Sequence, residues 1–504
     1  MAESDRSLFK RLVSLVQRGP DAVNRAGGPA FQDSPRMALY RQVATSLWSG
    51  DGYYERQVEW LARFRQNVAD VLAEDVRFPF ALAAYARDRR DGLALRTSPV
   101  ILYVEAVANV RSKGTGLARQ YAPRVFQRAD EPAEAIAFFR KHHQGVVPHG
   151  MLRGIADALK NFDEYQLAKY KKSGSVSMRD VLRLARPKPG APEEQALWGR
   201  VVADALETPY TWEVELSKSP TDEEKRQKWN ELIASGKLGL FALVRNIRNI
   251  VKYGADVEEA LSQITRQRVV GSGILPFQWY KAYKAVATAA GPVIAEPMQQ
   301  ALQWSLDDLP KLPGITLVAC DNSGSMSRTW RTRDMANNEI ANLMGAMALY
   351  CCQEGIAGTF GNHFQIANAL SQFGLLENKA NIDLCGTGTG HATNAWTIFE
   401  YLIRNRIWVD RVFLFSDMQC YDSQARRASG VYSGHSLSAE FESYRQINPN
   451  VILYSVNLDS YDNTCQFEAG QPVIELAGWS ENVFQFISRM EVGESILDTI
   501  AKNY

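Results

Sequence analysis

Three short strings hold oxygen donors spaced as a metal ion would need them. Asp321-Asn322-Ser323-Gly324-Ser325 offers one carboxylate and two hydroxyls at alternate positions, with a glycine that permits a tight turn. The glycine-rich stretch from Gly386 to Asn394, GTGTGHATN, presents Thr393, and Asp410 to Cys420, DRVFLFSDMQC, carries Ser416-Asp417. Hard oxygen donors of this kind suit Mg²⁺ or Mn²⁺ and do not suit zinc or copper. They can act together only if all three segments reach the same edge of a sheet.

A second set of side chains is cationic. Arg153, Lys169, Lys171, Lys172, Arg179, Arg183, Arg186 and Lys188 cluster within 36 residues, with Tyr165 and Tyr170 interleaved. Ser177 predicts the cap of a helix ending before Pro187, with Met178, Val181, Leu182 and Ala185 as its buried stripe. Arg179, Arg183 and Arg186 then share a neighbouring stripe. Basic side chains among aromatics suit phosphate neutralisation and base stacking, although a solvated helix face shows the same spacing. Arg245, Arg248 and Lys252 form a second basic stripe, on a helix that turns Leu240, Val244, Ile247 and Val251 inward.

The metal-ligand strings need strands to deliver them. Ile315 to Cys320 is an uncharged run bounded by Pro313-Gly314 and stopping at Asp321, which predicts a central parallel strand with a ligand edge at its carboxyl end. The apolar runs before Ser416 and over Val451 to Asp459 predict two more. Helices are expected over Asp334 to Glu354, Asn394 to Ile407 and from Asn482 to Met490, with a hairpin over Ile356 to Ala367. Residues 311–504 therefore read as a doubly wound α/β domain.

Residues 1–310 read as helix after helix from Ser34 to about Asp308. Helix starts are legible at Ser34-Pro35, Ser98-Pro99 and Asp130-Glu131-Pro132, Glu55 to Glu74 has helical spacing, and Thr221 to Glu224 is a capping box closed downstream by Gly236. Stacked helix pairs of the HEAT or armadillo kind are expected, without a fixed sequence period.

Composition bounds the rest. At 504 residues, 46% hydrophobic and 22% charged, the chain is an ordinary globular protein of two or three domains. Its net charge of +1 conceals a split: residues 1–310 hold 44 Lys and Arg against 36 Asp and Glu, and residues 311–504 hold 13 against 20. The basic part hints at a polyanionic partner. No run approaches the roughly 18 apolar residues of a membrane helix, and the first residues lack a signal-peptide core, so a cytoplasmic protein without a membrane partner is expected. All six cysteines fall after residue 310 without a C-x-x-C pair, which favours buried reduced thiols.

The Asp-x-Ser-x-Ser, Thr, Asp series resembles the metal-ion-dependent adhesion site of von Willebrand factor A domains. That resemblance implies a divalent ion, Mg²⁺ first, held by Ser323, Ser325 and Thr393 and by Asp321 and Asp417 directly or through water. A helical-repeat part followed by such a domain resembles the Ro family, whose repeat part is the TROVE domain. The strings that carry it are HGMLRGIADAL at His149 to Leu159, LAKYKKSGSVSMRDVLRLARPKP at Leu167 to Pro189, LVRNIRNI at Leu243 to Ile250 and ILPF at Ile274 to Phe277.

The resemblance implies a ring of HEAT-like repeats over residues 1–310, closed by the A-type domain over 311–504. It implies a non-catalytic protein that binds small structured noncoding RNA of the Y type on a basic outer surface and single-stranded ends of misfolded RNA in a central hole. In bacteria such proteins act in RNA quality control and can be tethered to an exoribonuclease such as polynucleotide phosphorylase. By position, Lys169, Lys171, Lys172, Arg179 and Arg183 would lie on the RNA surface. Met178 departs from a histidine common in animal members, and HATN after Gly390 departs from a glycine-threonine-aspartate string. The alternative is a protein-interaction scaffold whose ion grips a partner carboxylate. A metal-dependent nuclease would need a general base, for which His363 and His391 are the candidates.

Overall fold

The computed structural model describes residues 21–45, 57–89, 91–170, 175–207, 216, 219–236, 238–270, 272, 274, 276–307, 309, 311–327, 335–428, 431–459, 461, 465–468, 471–478, 484, 487 and 496–504. They fall into two compact units, one formed by residues 1–111 together with 310–504 and the other by 112–309.

The first unit is built on a six-stranded sheet. Its strands are β1 (Leu312–Asp321), β2 (Cys352–Phe360), β3 (Phe364–Ile366), β4 (Arg411–Ser416), β5 (Ile452–Asn457) and β6 (Val473–Ala477), in the order β6-β5-β4-β1-β2-β3. All neighbours are parallel except β2 and β3, which form the expected hairpin. Parallel central strands are covered on both faces, which is why β4 is buried throughout and β1 over its last six residues. Leu317, Ala319 and Leu414 meet Ile398, Phe399 and Phe441 in one apolar cluster. On the helix Asn337–Cys351, Gly345 allows close approach to β1: a Cβ there would lie 2.5 Å from Cys320 Sγ.

That helix stops three residues short of the expected Glu354. The chain passes directly into β2 at Cys352, where Gly355 and Gly358 weaken a continued helix and the β-branched Ile356 and Thr359 favour a strand. The helix expected over Asn394 to Ile407 spans Thr397–Asn405, and most of the segment from Asn482 to Met490 lies outside the described residues. The helices Pro35–Thr45, Gln57–Glu74, Phe78–Arg87 and Thr97–Ala108 belong to the same unit, the first against β6. The last helix, Ile496–Asn503, packs on Phe78–Arg87, and the Tyr504 hydroxyl donates to Asp88 at 2.8 Å.

The second unit is helical throughout its described residues. Helices Leu117–Val125, Glu131–His142 and His149–Ala158 are followed by Glu164–Lys169, Met178–Ala185 and Pro192–Ala203. Asp222–Ala234 and Leu240–Lys252 then lead, through two short helices, to the paired Pro276–Ala290 and Pro292–Trp304. Starts and stops follow local chemistry: Asp163, Ser177 and Thr221 each form a capping box, and Gly236 takes φ +64° just past the Asp222–Ala234 helix. All six cysteines are buried free thiols. No helix among the described residues is long and apolar enough to cross a membrane.

Candidate metal centre and nucleic-acid interface

The parallel register sets the first site. Cys320 lies opposite Phe415 and Ser416 opposite Asn457, so β1, β4 and β5 release Asp321, Asp417 and Asp459 at the same edge. Asp321 and Asp417 are both fully buried, Ser323 and Ser325 nearly so, and the two serine hydroxyls lie 3.3 Å apart. The Ser323 N–H donates to Asp321 Oδ1 at 2.8 Å, and the Ser416 hydroxyl donates to Oδ2 at 2.6 Å. Asp417 Oδ1 accepts the Gln419 N–H at 3.1 Å, whereas its Oδ2 is buried with no hydrogen-bond partner among the described residues. Met418, next in the chain, has φ +59°, a costly backbone state for a residue with a side chain.

Burial pushes the Asp321 carboxyl up to about 6, against the pull of Ser323 and Ser416. Burial and then repulsion from Asp321 push Asp417 up to about 8, with Ser325 lowering it and Asp459 raising it further. Crowded, dehydrated carboxylates beside inward hydroxyls, one oxygen unpartnered, fit a hard divalent cation that would neutralise them.

Thr393 is buried in the neighbouring loop. Two residues before it the His391 carbonyl accepts the Gly324 N–H at 2.9 Å, and its own carbonyl accepts the Tyr421 N–H at 3.1 Å. Those bonds tie the Thr393 loop to the Ser323 loop and to the segment after Asp417. Two participants went unassigned as site residues: Ser416, which orients Asp321, and Asp459, buried and bonded to Asn337 Nδ2 at 3.0 Å. Ending a buried strand in a carboxylate was the only sequence signal for Asp459.

A different group of metal-type ligands sits near β6. One ligand atom each from Asp33, Cys465 and Glu475 lie within 4.8 Å of one another. Here the Arg41 guanidinium takes the cation's place, with Nη1 2.8 Å from Asp33 and Nη2 2.5 Å from Glu475.

The second candidate site belongs to the helical unit. Arg153, Lys169, Arg183, Arg186 and Lys188 are exposed and Arg179 is half-buried; Lys171 and Lys172 lie outside the described residues. Ser177 caps the helix by accepting the Asp180 N–H at 3.2 Å, and Met178, Val181 and Leu182 are its buried side. One expectation changes: the helix ends at Ala185, so Arg186 leaves the arginine stripe and occupies a left-handed cap at φ +47°. The Lys169 ammonium lies 5.8 Å from the Tyr165 ring centre and 5.9 Å from that of Tyr170, whose ring also carries the Arg128 guanidinium at 4.4 Å. Arg245, Arg248 and Lys252 are exposed opposite the buried Leu243, Val244, Ile247 and Ile250.

Residues 191–294 match the family model of the TROVE domain. No curated protein matches the chain. The crystal structure of the Deinococcus radiodurans RO (RSR) protein superposes with TM-score 0.64 over 91% of this chain and 100% of that one, at 16% identity. Two structures of proximal thread matrix protein 1 from the mussel byssus, one with a zinc-occupied MIDAS motif, align over 43% of this chain and 62% of theirs at 13% and 12% identity. Their TM-scores are 0.22. The TROVE match lies within the helical unit. The fold of the chain is that of a bacterial Ro protein.

Proposed function

We propose that this protein is a non-catalytic RNA-binding protein of the Ro type, with the exposed basic cluster of residues 153–188 as its principal RNA surface. The observation that carries the reading is the exposure of Arg153, Lys169, Arg183, Arg186 and Lys188, with the Lys169 ammonium beside the Tyr165 and Tyr170 rings, in the unit that contains the TROVE match. Cationic side chains supply affinity for phosphate regardless of sequence; discrimination comes from RNA shape and unpaired bases.

In this proposal the cargo is a small structured noncoding RNA of the Y type, and unpaired ends of misfolded RNA thread a ring of HEAT-like repeats formed by residues 1–310 and closed by an A-type domain over 311–504. The setting is cytoplasmic RNA quality control, with an exoribonuclease such as polynucleotide phosphorylase as the tethered partner. Asp321, Ser323, Ser325, Thr393 and Asp417 would hold Mg²⁺, which would neutralise the buried carboxylates and leave a position for an acidic group. Support for the ion comes from the unpartnered Asp417 oxygen.

Filter binding of labelled structured RNA against competitor tRNA tests the reading. The variant with alanine at Lys169, Lys172, Arg179 and Arg183 is expected to bind more weakly and to show a shallower salt dependence, by up to about 0.9 in log–log slope for each phosphate no longer neutralised. Wild-type affinity and slope in that variant would sink the surface assignment, and turnover of RNA by purified protein with Mg²⁺ would sink the non-catalytic one.

A further inference from the structure

Between the end of the helix Met178–Ala185 and the helix Pro192–Ala203 lies an open groove of about 560 Å³. Leu182 and Trp198, both largely buried, and the half-exposed Val202 give it an apolar lining, and Pro187 and Pro189 fix the chain along one side. Arg183 and Arg186 also line it, and both are exposed. Among the described residues Arg186 makes no ion pair, and its left-handed backbone is fixed by its N–H donating to Leu182 O at 2.9 Å.

We infer that this groove receives one unpaired nucleotide of bound RNA, its base against Trp198 and Val202 and its phosphates on Arg183 and Arg186. The inference rests on the RNA-binding reading above and extends it, because it assigns discrimination to a feature separate from the charged surface. The volume lies in the range of about 300–1,000 Å³ typical of small-ligand sites. Apolar and aromatic walls with a cationic rim match a base and its phosphate, and the Gln195 amide, also in the lining, can pair with a base edge. A paired stem has no free base to insert, so a bulge or loop nucleotide is the required element.

Gly199 makes the test clean. It lies in the groove wall on the Pro192–Ala203 helix, and a Cβ built there meets no atom within 4 Å. Gly199→Leu therefore plugs the groove while leaving both arginines in place, and Gly199→Ala leaves it nearly open. Two RNA hairpins identical except for a single extruded adenosine are the probes. The wild-type protein is expected to prefer the bulged hairpin by roughly tenfold. Gly199→Leu and Val202→Trp should abolish that preference with the fully paired hairpin bound as before, Gly199→Ala should keep it, and Arg186→Ala should weaken both hairpins. Equal binding of both hairpins by the wild-type protein, or an undiminished preference in Gly199→Leu, overturns the groove assignment alone. Failure of the wild-type protein to bind either hairpin overturns it together with the RNA-binding reading.

Discussion

Two carboxylates cannot both stay ionised in a dry cluster unless something answers their charge. Asp321 at about 6 and Asp417 at about 8 are each raised above the unfolded carboxylate range, first by burial and, for Asp417, next by the other's charge. The folded, metal-free state thus holds protons that the unfolded state has given up. Its stability from these groups is present at low pH and is lost as pH rises from about 4 through 6 to 8. With EDTA, the melting temperature should fall between pH 5.5 and 8.5, by a stability loss on the order of 4 kcal/mol. Mg²⁺ should restore it at pH 8.5 and have little effect at pH 5.5, because binding needs both groups deprotonated. Asp417→Asn should melt higher than wild type in EDTA at pH 8.5 and no longer respond to Mg²⁺; a Mg²⁺ response surviving in that variant would refute the cation's placement. Sequence spacing singles out Asp321 and the Ser416-Asp417 pair because buried apolar runs end at them, and Ser323 and Ser325 because they follow Asp321 at alternate positions. Ser416 and Asp459 join them only through strand register, which pairs Ser416 with Asn457 and is invisible in a single string.

Helices in the second unit begin where short-range chemistry says so, and the three capping boxes are complete within four residues each. Ends are harder to read. The Met178–Ala185 helix stops one residue before Arg186 because Pro187 disfavours helical backbone in the residue before it, and that one residue turns a helical stripe into a groove wall. Glycines inside helices show how far packing overrides propensity. A Cβ on Gly154 would lie 2.5 Å from Ala122 Cβ and 2.8 Å from Ala118 O, on the helix Leu117–Val125. Gly154→Ala should therefore cost about 1–3 kcal/mol by forcing these helices apart, whereas Gly199→Ala should gain up to about 1 kcal/mol from helix propensity alone. Urea denaturation of the two variants in parallel checks the contrast, and equal shifts of the same sign would contradict the packing. No single-residue propensity distinguishes the two sites, since only the partner helix makes Gly154 necessary.

At the scale of the molecule, the chain returns to its own beginning. Residues before 111 join residues after 310 in one compact unit, although more than 190 residues separate them in sequence. Composition showed a basic stretch before an acidic one and nothing of this packing, because the residues that make the joint lie singly and far apart in the chain. Phe31 forms an antiparallel bridge to Cys465, and Arg41, on the helix Pro35–Thr45, reaches both Asp33 and Glu475 on β6. Burial opposes the Arg41 charge, and the two carboxylates outweigh it; burial pushes Asp33 up to about 6, with Arg41 pulling it down and Glu475 raising it. Two acids share one guanidinium here, so removing the guanidinium leaves both without an answering charge in a nearly dry setting. Arg41→Ala should destabilise this unit by on the order of 3–5 kcal/mol and expose the Val473–Ala477 amides to hydrogen exchange. The triple variant Asp33→Asn, Arg41→Met, Glu475→Gln removes every charge while keeping side-chain size, and should recover most of the protection. Slow exchange at β6 in Arg41→Ala, matching wild type, would mean that the helix Pro35–Thr45 holds to the sheet edge by apolar packing alone, with the ion pairs contributing nothing to the joint.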